Sequence, residues 1–160
     1  HLTPTQVVTQ LRHDPEQIEG LVAGVDDAAL AYKPSADQWS IKEIVGHLAE
    51  TDRLFVQRVR SLLDRTPYRQ PLPPWKTHEG KGYETMAMRD ILASLRAARQ
   101  ATLVLVESLT PAQWAATGAM LGEVRSVLDQ GVWHANHDAA HIAQIRRMLE
   151  AATERAILAQ

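Results

Sequence analysis

One stretch near the C-terminal end gathers the residues best able to do chemistry: Trp133-His134-Ala135-Asn136-His137-Asp138-Ala139-Ala140-His141-Ile142. On a helix with His134 set at 0°, Asp138 falls at about +40°, His141 at about −20° and His137 at about −60°. Val127 and Ile145 fall at about +20° and Met148 at about −40°, so the polar cluster sits on the apolar face. Burying imidazoles and a carboxylate there costs free energy unless they are paired or bound to an ion. His137 and His141, four apart, can chelate one metal ion as a bidentate claw. Hydrogen-bonded core histidines satisfy the same spacing, and His134 with Asp138 has the same separation and makes a rival claw.

A third ligand has to come from another segment. His47 lies at the flank of an apolar stripe on the helix that follows Ser40, about 20° from Leu54. One imidazole there and two on the later helix would give three neutral nitrogen donors with positions left open for water or substrate, the style of a catalytic site. The chain has no cysteine, which removes thiolate sites and a cysteine nucleophile. Imidazole suits Zn²⁺, Ni²⁺, Cu²⁺ and Fe²⁺ alike.

The elements that must position these residues are helices. Prolines fall at 4, 15, 34, 67 to 74 and 111, which leaves long proline-free windows, and no Asn-Gly or Asp-Gly hairpin signal occurs. Three segments carry a hydroxyl residue followed three positions later by Glu or Gln: Thr3 to Gln6, Ser40 to Glu43 and Thr110 to Gln113. Each reads as a capping box. The first helix is expected from residue 4 to about Val25 with a bend near Pro15, followed by a short helical turn. The second is expected from Ile41 to about Asp64, with Ile41, Ile44, Leu48, Thr51, Phe55, Val59 and Leu62 toward the core and Glu50, Asp52, Arg53, Gln57 and Arg60 toward water or flanking. A third runs from about Met86 to Leu109 and a fourth from about Val124 to Thr153 or beyond. Residues 65–84 break the periodicity and read as a long crossover, a pocket lid, or both. The fold expected is all-α, a four-helix bundle forming a single domain over residues 1–160.

Composition bounds the function. With 17 Lys and Arg against 19 Asp and Glu the formal charge is −2, which leaves no basic excess for nucleic acid. No apolar run spans a bilayer and no signal peptide opens the sequence, so no membrane partner and a cytoplasmic location are expected. Arg89, Arg96 and Arg99 read as surface charge, Glu50 as part of a solvated helix face, and Trp39 and Trp133 as core anchors.

The segment from Trp39 to Asp52, the turn Gly118-Ala119-Met120-Leu121-Gly122-Glu123-Val124, and Trp133 through Ile145 resemble the DinB/YfiT-like superfamily of metal-binding four-helix bundles. The resemblance extends in order from about Leu30 to Arg146. It implies His47, His137 and His141 as ligands of one divalent metal, zinc or nickel, and leaves His134 and Asp138 as acid–base or pocket-lining groups. Many relatives have two adjacent histidines in the final motif, where this chain has Ala140-His141 and His137-Asp138. Relatives include S-transferases that use a low-molecular-weight thiol and metal-dependent hydrolases. The resemblance thus implies transfer of such a thiol to a small-molecule substrate. Hydrolysis, or a non-catalytic metal-binding stress protein, stand as alternatives. An open cleft lined by residues 68–83 would favour an enzyme. Apolar residues continuing to Ile157 and Leu158, together with the resemblance, imply a homodimer.

Overall fold

The computed structural model describes residues 1–70, 73, 76 and 80–160. Four long helices form the bundle: α1 (Pro4–Val22), α3 (Ile41–Asp64), α4 (Met88–Glu107) and α6 (Val127–Leu158). Two short helices, α2 (Asp27–Ala31) and α5 (Pro111–Ala115), lie in the connections, and a two-stranded antiparallel hairpin, β1 (Thr117–Met120) and β2 (Glu123–Ser126), precedes α6. Among the described residues no helix is long and apolar enough to cross a membrane.

The three expected capping boxes are present at Thr3, Ser40 and Thr110. A fourth, Ser126 with Asp129, starts α6, because an aspartate can close the same reciprocal pair of bonds as a glutamate. The last helix therefore begins at Val127 rather than near Val124. The residues before it pair as the hairpin, with Thr117 opposite Ser126 and Met120 opposite Glu123. Leu121 and Gly122 have φ of 53° and 86°, so the turn has both central residues left-handed, the arrangement that suits strand twist. Gly118 to Val124 reads as a turn from the sequence, but a leucine in the position that usually holds Asn or Asp hides the strand pairing on either side of it. α1 ends at Val22, earlier than expected, with Gly24 at φ 71°, and Pro15 lies inside it.

α3 packs on α4 and α6, and α1 packs on the same two helices, so α1 and α3 lie across a diagonal. The first halves of α3 and α4 share one apolar cluster, Ile41 to Ala49 with Ile91, Leu95 and Ala98. Their second halves share another, Phe55, Val59 and Leu62 with Val106. Neighbouring helices that match in this order run parallel, so the chain between them must return the length of the bundle. The described residues at the two ends of this connection are placed accordingly: Tyr68 and Gln70 lie beside Arg58, late in α3, and Tyr83 lies beside Gly46, early in it. The expected crossover is thus present; Pro71, Pro74 and Trp75, which belong to the segment read as a lid, lie outside the described residues.

Tyr83 is buried, and its hydroxyl donates to Glu50 Oε1 at 3.1 Å. Burial, and then the charge of Glu50, push the phenol up to about 12. Glu50 also accepts from Arg53, so it is a bonded, half-buried group and not part of a solvated face. A β-carbon at Gly46 would sit 2.4 to 2.6 Å from the Tyr83 ring. Gly46→Ala is expected to displace that ring and to cost about 1–3 kcal/mol, the range of core overpacking, measured by urea unfolding.

Candidate metal centre

The site is built where α3 and α6 face each other. His47 is 2% exposed, on the buried face set by Ile44 and Leu48. His137 and His141 are half-buried, one turn apart on α6. Their ring nitrogens converge: His47 Nε2 and His141 Nε2 each lie 3.2 Å from His137 Nε2, and the ligand atoms of all three lie within 4.8 Å of one another. An ion held tetrahedrally by imidazoles at about 2.0–2.1 Å spaces its donor atoms roughly 3.3 Å apart. The observed spacing fits such an ion.

The protonation states fit it as well. Burial, followed by the proximity of His141 and His47, pushes His137 down to about 2, so its ring is neutral. Burial also lowers His141, opposed by a hydrogen bond to Gln144. That bond joins His141 Nδ1 to Gln144 Oε1 at 2.9 Å. Since an amide oxygen only accepts, Nδ1 carries the proton and the Nε2 lone pair is left facing the other two rings. His137 Nδ1 is buried without a hydrogen-bond partner, so the polar contacts of that ring are all on its Nε2 side.

Two indoles hold the rings in place. Trp39 packs edge-on to His47, with centroids 4.7 Å apart, and lies parallel to His141 at 6.0 Å. Trp133 stacks on His137 at 4.8 Å. It is 43% exposed, so it covers an imidazole from the solvent side and is not the core anchor expected from sequence. Arg58 lies over the outer part of this stack, 5.5 Å from the Trp133 ring and 5.5 Å from that of Tyr68.

His134 and Asp138 face a different neighbourhood. Both are fully buried. His134 Nε2 bonds Asp52 Oδ1 at 3.0 Å and its ring stacks on Phe55 at 4.6 Å. Asp138 pairs with Arg99 Nη2 at 2.8 Å. Arg99 Nε also reaches Asp52 at 2.9 Å, Arg99 Nη1 donates to the carbonyl of Leu11, and Thr102 Oγ1 donates to Asp52. Asp14 of α1 adds a third carboxyl beside Asp138. All four long helices thus contribute to a polar layer between the two apolar clusters.

Burial dominates the electrostatics of that layer. It raises Asp138 to about 7 and raises Asp14, with the Arg99 charge opposing in each case. At Asp52 burial also works toward a higher value, but His134 and Arg99 together outweigh it and the pKa is lowered. Asp52 and Arg99 are 0% and 2% exposed, whereas the sequence reading has Asp52 facing water or flanking the stripe and Arg99 on the surface. The pattern held a signal for both: on α3, Asp52 falls about 20° from Ile41, and on α4, Arg99 falls about 20° from Val106. Arg89 and Arg96 are exposed as expected. Charge argues for the surface and phase for the core, and phase prevails because the two are buried as a pair.

A cleft lies beside the centre. It is lined by residues of the 34–39 segment, among them Asp37 and Trp39, and by residues of α6, among them His141, Gln144 and Arg147, with a volume of about 520 Å³; much of 68–83, where a cleft was expected, lies outside the described residues.

Comparisons with known proteins agree with this architecture. YfiT from Bacillus subtilis, described as a probable metal-dependent hydrolase with an unusual four-helix bundle topology, superposes with a TM-score of 0.74 at 23% identity, over 94% of this chain and 91% of its own. An uncharacterised protein from Clostridium difficile 630 superposes at 0.75 with 8% identity, over 94% of this chain and 97% of its own. DfsB, described as a sibling lethal factor precursor, superposes at 0.71 with 13% identity, over 95% and 98%. These likenesses establish a shared fold. No curated protein matches the chain in sequence. Residues 10–145 match the DinB superfamily, and the chain belongs to that superfamily.

Proposed function

We propose that the chain is a divalent-metal-dependent enzyme in which His47, His137 and His141 hold the ion, and that it transfers a low-molecular-weight thiol to a small electrophilic substrate. The observation that carries this reading is the convergence of three Nε2 atoms from two helices, with two spacings of 3.2 Å. Three neutral protein donors leave room for an exchangeable ligand. Zinc or nickel bound there would supply Lewis acidity, lowering the pKa of a thiol or water placed beside it. The residues of the chain do the rest. Gln144 fixes the tautomer and orientation of His141, Trp39 and Trp133 cover ring faces, and the cleft at His141 admits the reactants. Because the chain has no cysteine, the thiol must arrive as a cosubstrate.

A second reading, in which water takes the place of the thiol and the reaction is hydrolysis, is favoured by the description of YfiT. The first test is elemental analysis of untagged protein after loading with zinc or nickel, where about one ion per chain is expected. Less than about a tenth of an ion per chain would overturn both readings. Metal-loaded protein that consumes a model electrophile only with thiol present supports transfer. Thiol-independent cleavage of a model ester supports hydrolysis. Chelator-treated protein should do neither.

A further inference from the structure

We propose that the cleft beside His141 binds the carboxylate end of the small molecule that reacts at the three-histidine centre, with Arg147 as its anchor. The proposal rests on the reading of that centre given above. A volume of about 520 Å³ lies within the range of small-molecule sites, about 300–1,000 Å³. The wall of the cleft includes His141 itself. Trp39, which also lines it, contacts the rings of both His47 and His141, so an occupant would rest against the ring of His141 and against the indole that packs on His47.

The chemistry of the lining selects the ligand. Trp39 and Met148 offer apolar surface on opposite walls. On the α6 wall, Gln144 and Arg147 lie three residues apart, the spacing that puts side chains on adjoining parts of a helix face. Gln144 Oε1 is engaged by His141 Nδ1, which leaves the amide N–H groups of Gln144 as donors. Arg147 is exposed and makes no ion pair among the described residues. Arg53, Arg96 and Arg99 are each held by an acid. An amide donor beside an uncommitted guanidinium suits a carboxylate. Asp37, on the facing wall, already accepts from Ser35 Oγ at 2.6 Å, and its charge turns an incoming anion toward α6.

The test uses cobalt(II)-loaded protein titrated with 3-mercaptopropionate and with 2-mercaptoethanol. Visible ligand-field bands report that the ion is seated, and a sulfur-to-cobalt charge-transfer band reports that a thiol reaches it. Wild type is expected to bind 3-mercaptopropionate about tenfold more tightly than 2-mercaptoethanol, the scale of one charge-assisted bond at an exposed site. Arg147→Gln is expected to abolish that preference while leaving the cobalt bands unchanged. Equal affinities in wild type, or a preference that survives in Arg147→Gln, overturn the cleft assignment and leave the metal centre standing. Seated cobalt that is silent to both thiols overturns it too. Failure of cobalt to bind overturns the reading of the centre, and this proposal with it.

Discussion

His47→Ala and His137→Ala are each expected to reduce bound metal from about one ion per chain by about a hundredfold or more in affinity, exceeding the roughly 10–100-fold cost of losing a group that only orients a ligand. The argument is geometric. Three Nε2 atoms meet from two helices, and removing either partner of His141 leaves two donors without the third edge of the triangle. Two comparisons make the result specific. His13, exposed on α1 and far from the centre in sequence, should leave metal content unchanged when replaced by alanine. His134→Ala should lower stability, because its ring fills space against Phe55 and bonds Asp52. The folded fraction of that variant should still bind about one ion. Metal content measured per folded molecule, with helicity followed by circular dichroism, separates these outcomes. Loss of the ion in His134→Ala with retention in His137→Ala would favour the rival claw of His134 and Asp138.

Arg99→Met is expected to be among the most destabilising single changes in the protein. It would leave Asp52 and Asp138 buried without the guanidinium that pairs with both. It would also leave the Leu11 carbonyl without its side-chain donor. Breaking a buried pair on one side costs about 3–5 kcal/mol, which in a chain of this size lowers Tm by roughly 10 °C or more. Urea and thermal unfolding measure it, and a loss below about 1 kcal/mol would contradict the account. Asp52 gives the same layer a pH signature. Its folded pKa is lowered, so its contribution is fully present above the unfolded value of about 3.9 and is lost as pH falls through the folded value. Asp52→Asn should therefore lower stability at neutral pH and show a shallower loss on acidification below about pH 4.

The helices were legible because their signals are local. Capping boxes at Thr3, Ser40 and Thr110 and the stripe from Ile41 to Leu62 depend on residues within a few turns of one another, and the structure has them where the pattern put them. The convergence of His47 with His137 and His141 joins positions 90 residues apart in the case of His47 and His137. Spacing within one helix suggests the pair but not the third member, for which the flank of the apolar stripe on α3 offers His47 and the resemblance singles it out. His134 and Asp138 read as lying on the apolar face, but their partners Asp52 and Arg99 are hidden for a different reason. Both are charged residues lying in phase with apolar ones, and only the meeting of four helices makes their burial tolerable. The role of Trp133 also depends on a neighbour, since its stacking on His137 is set by the ring one turn later on the same helix. The β-hairpin has no alternating apolar run to announce it, and its turn uses Leu121-Gly122.

Ser126 is at once the last residue of β2 and the N-cap of α6, with nothing between strand and helix to absorb an error. Strand pairing and helix phase are therefore a single variable. If β2 slipped by one residue against β1, each place along α6 would receive the next residue in sequence, a turn of about 100° and a shift of about 1.5 Å. His137 and His141 would swing away from α3 together, while an apolar residue such as Ile142 rotated off the core. The hairpin thus works as an indexing stop: its register sets the angular setting of a helix whose first candidate ligand, His137, lies eleven residues downstream.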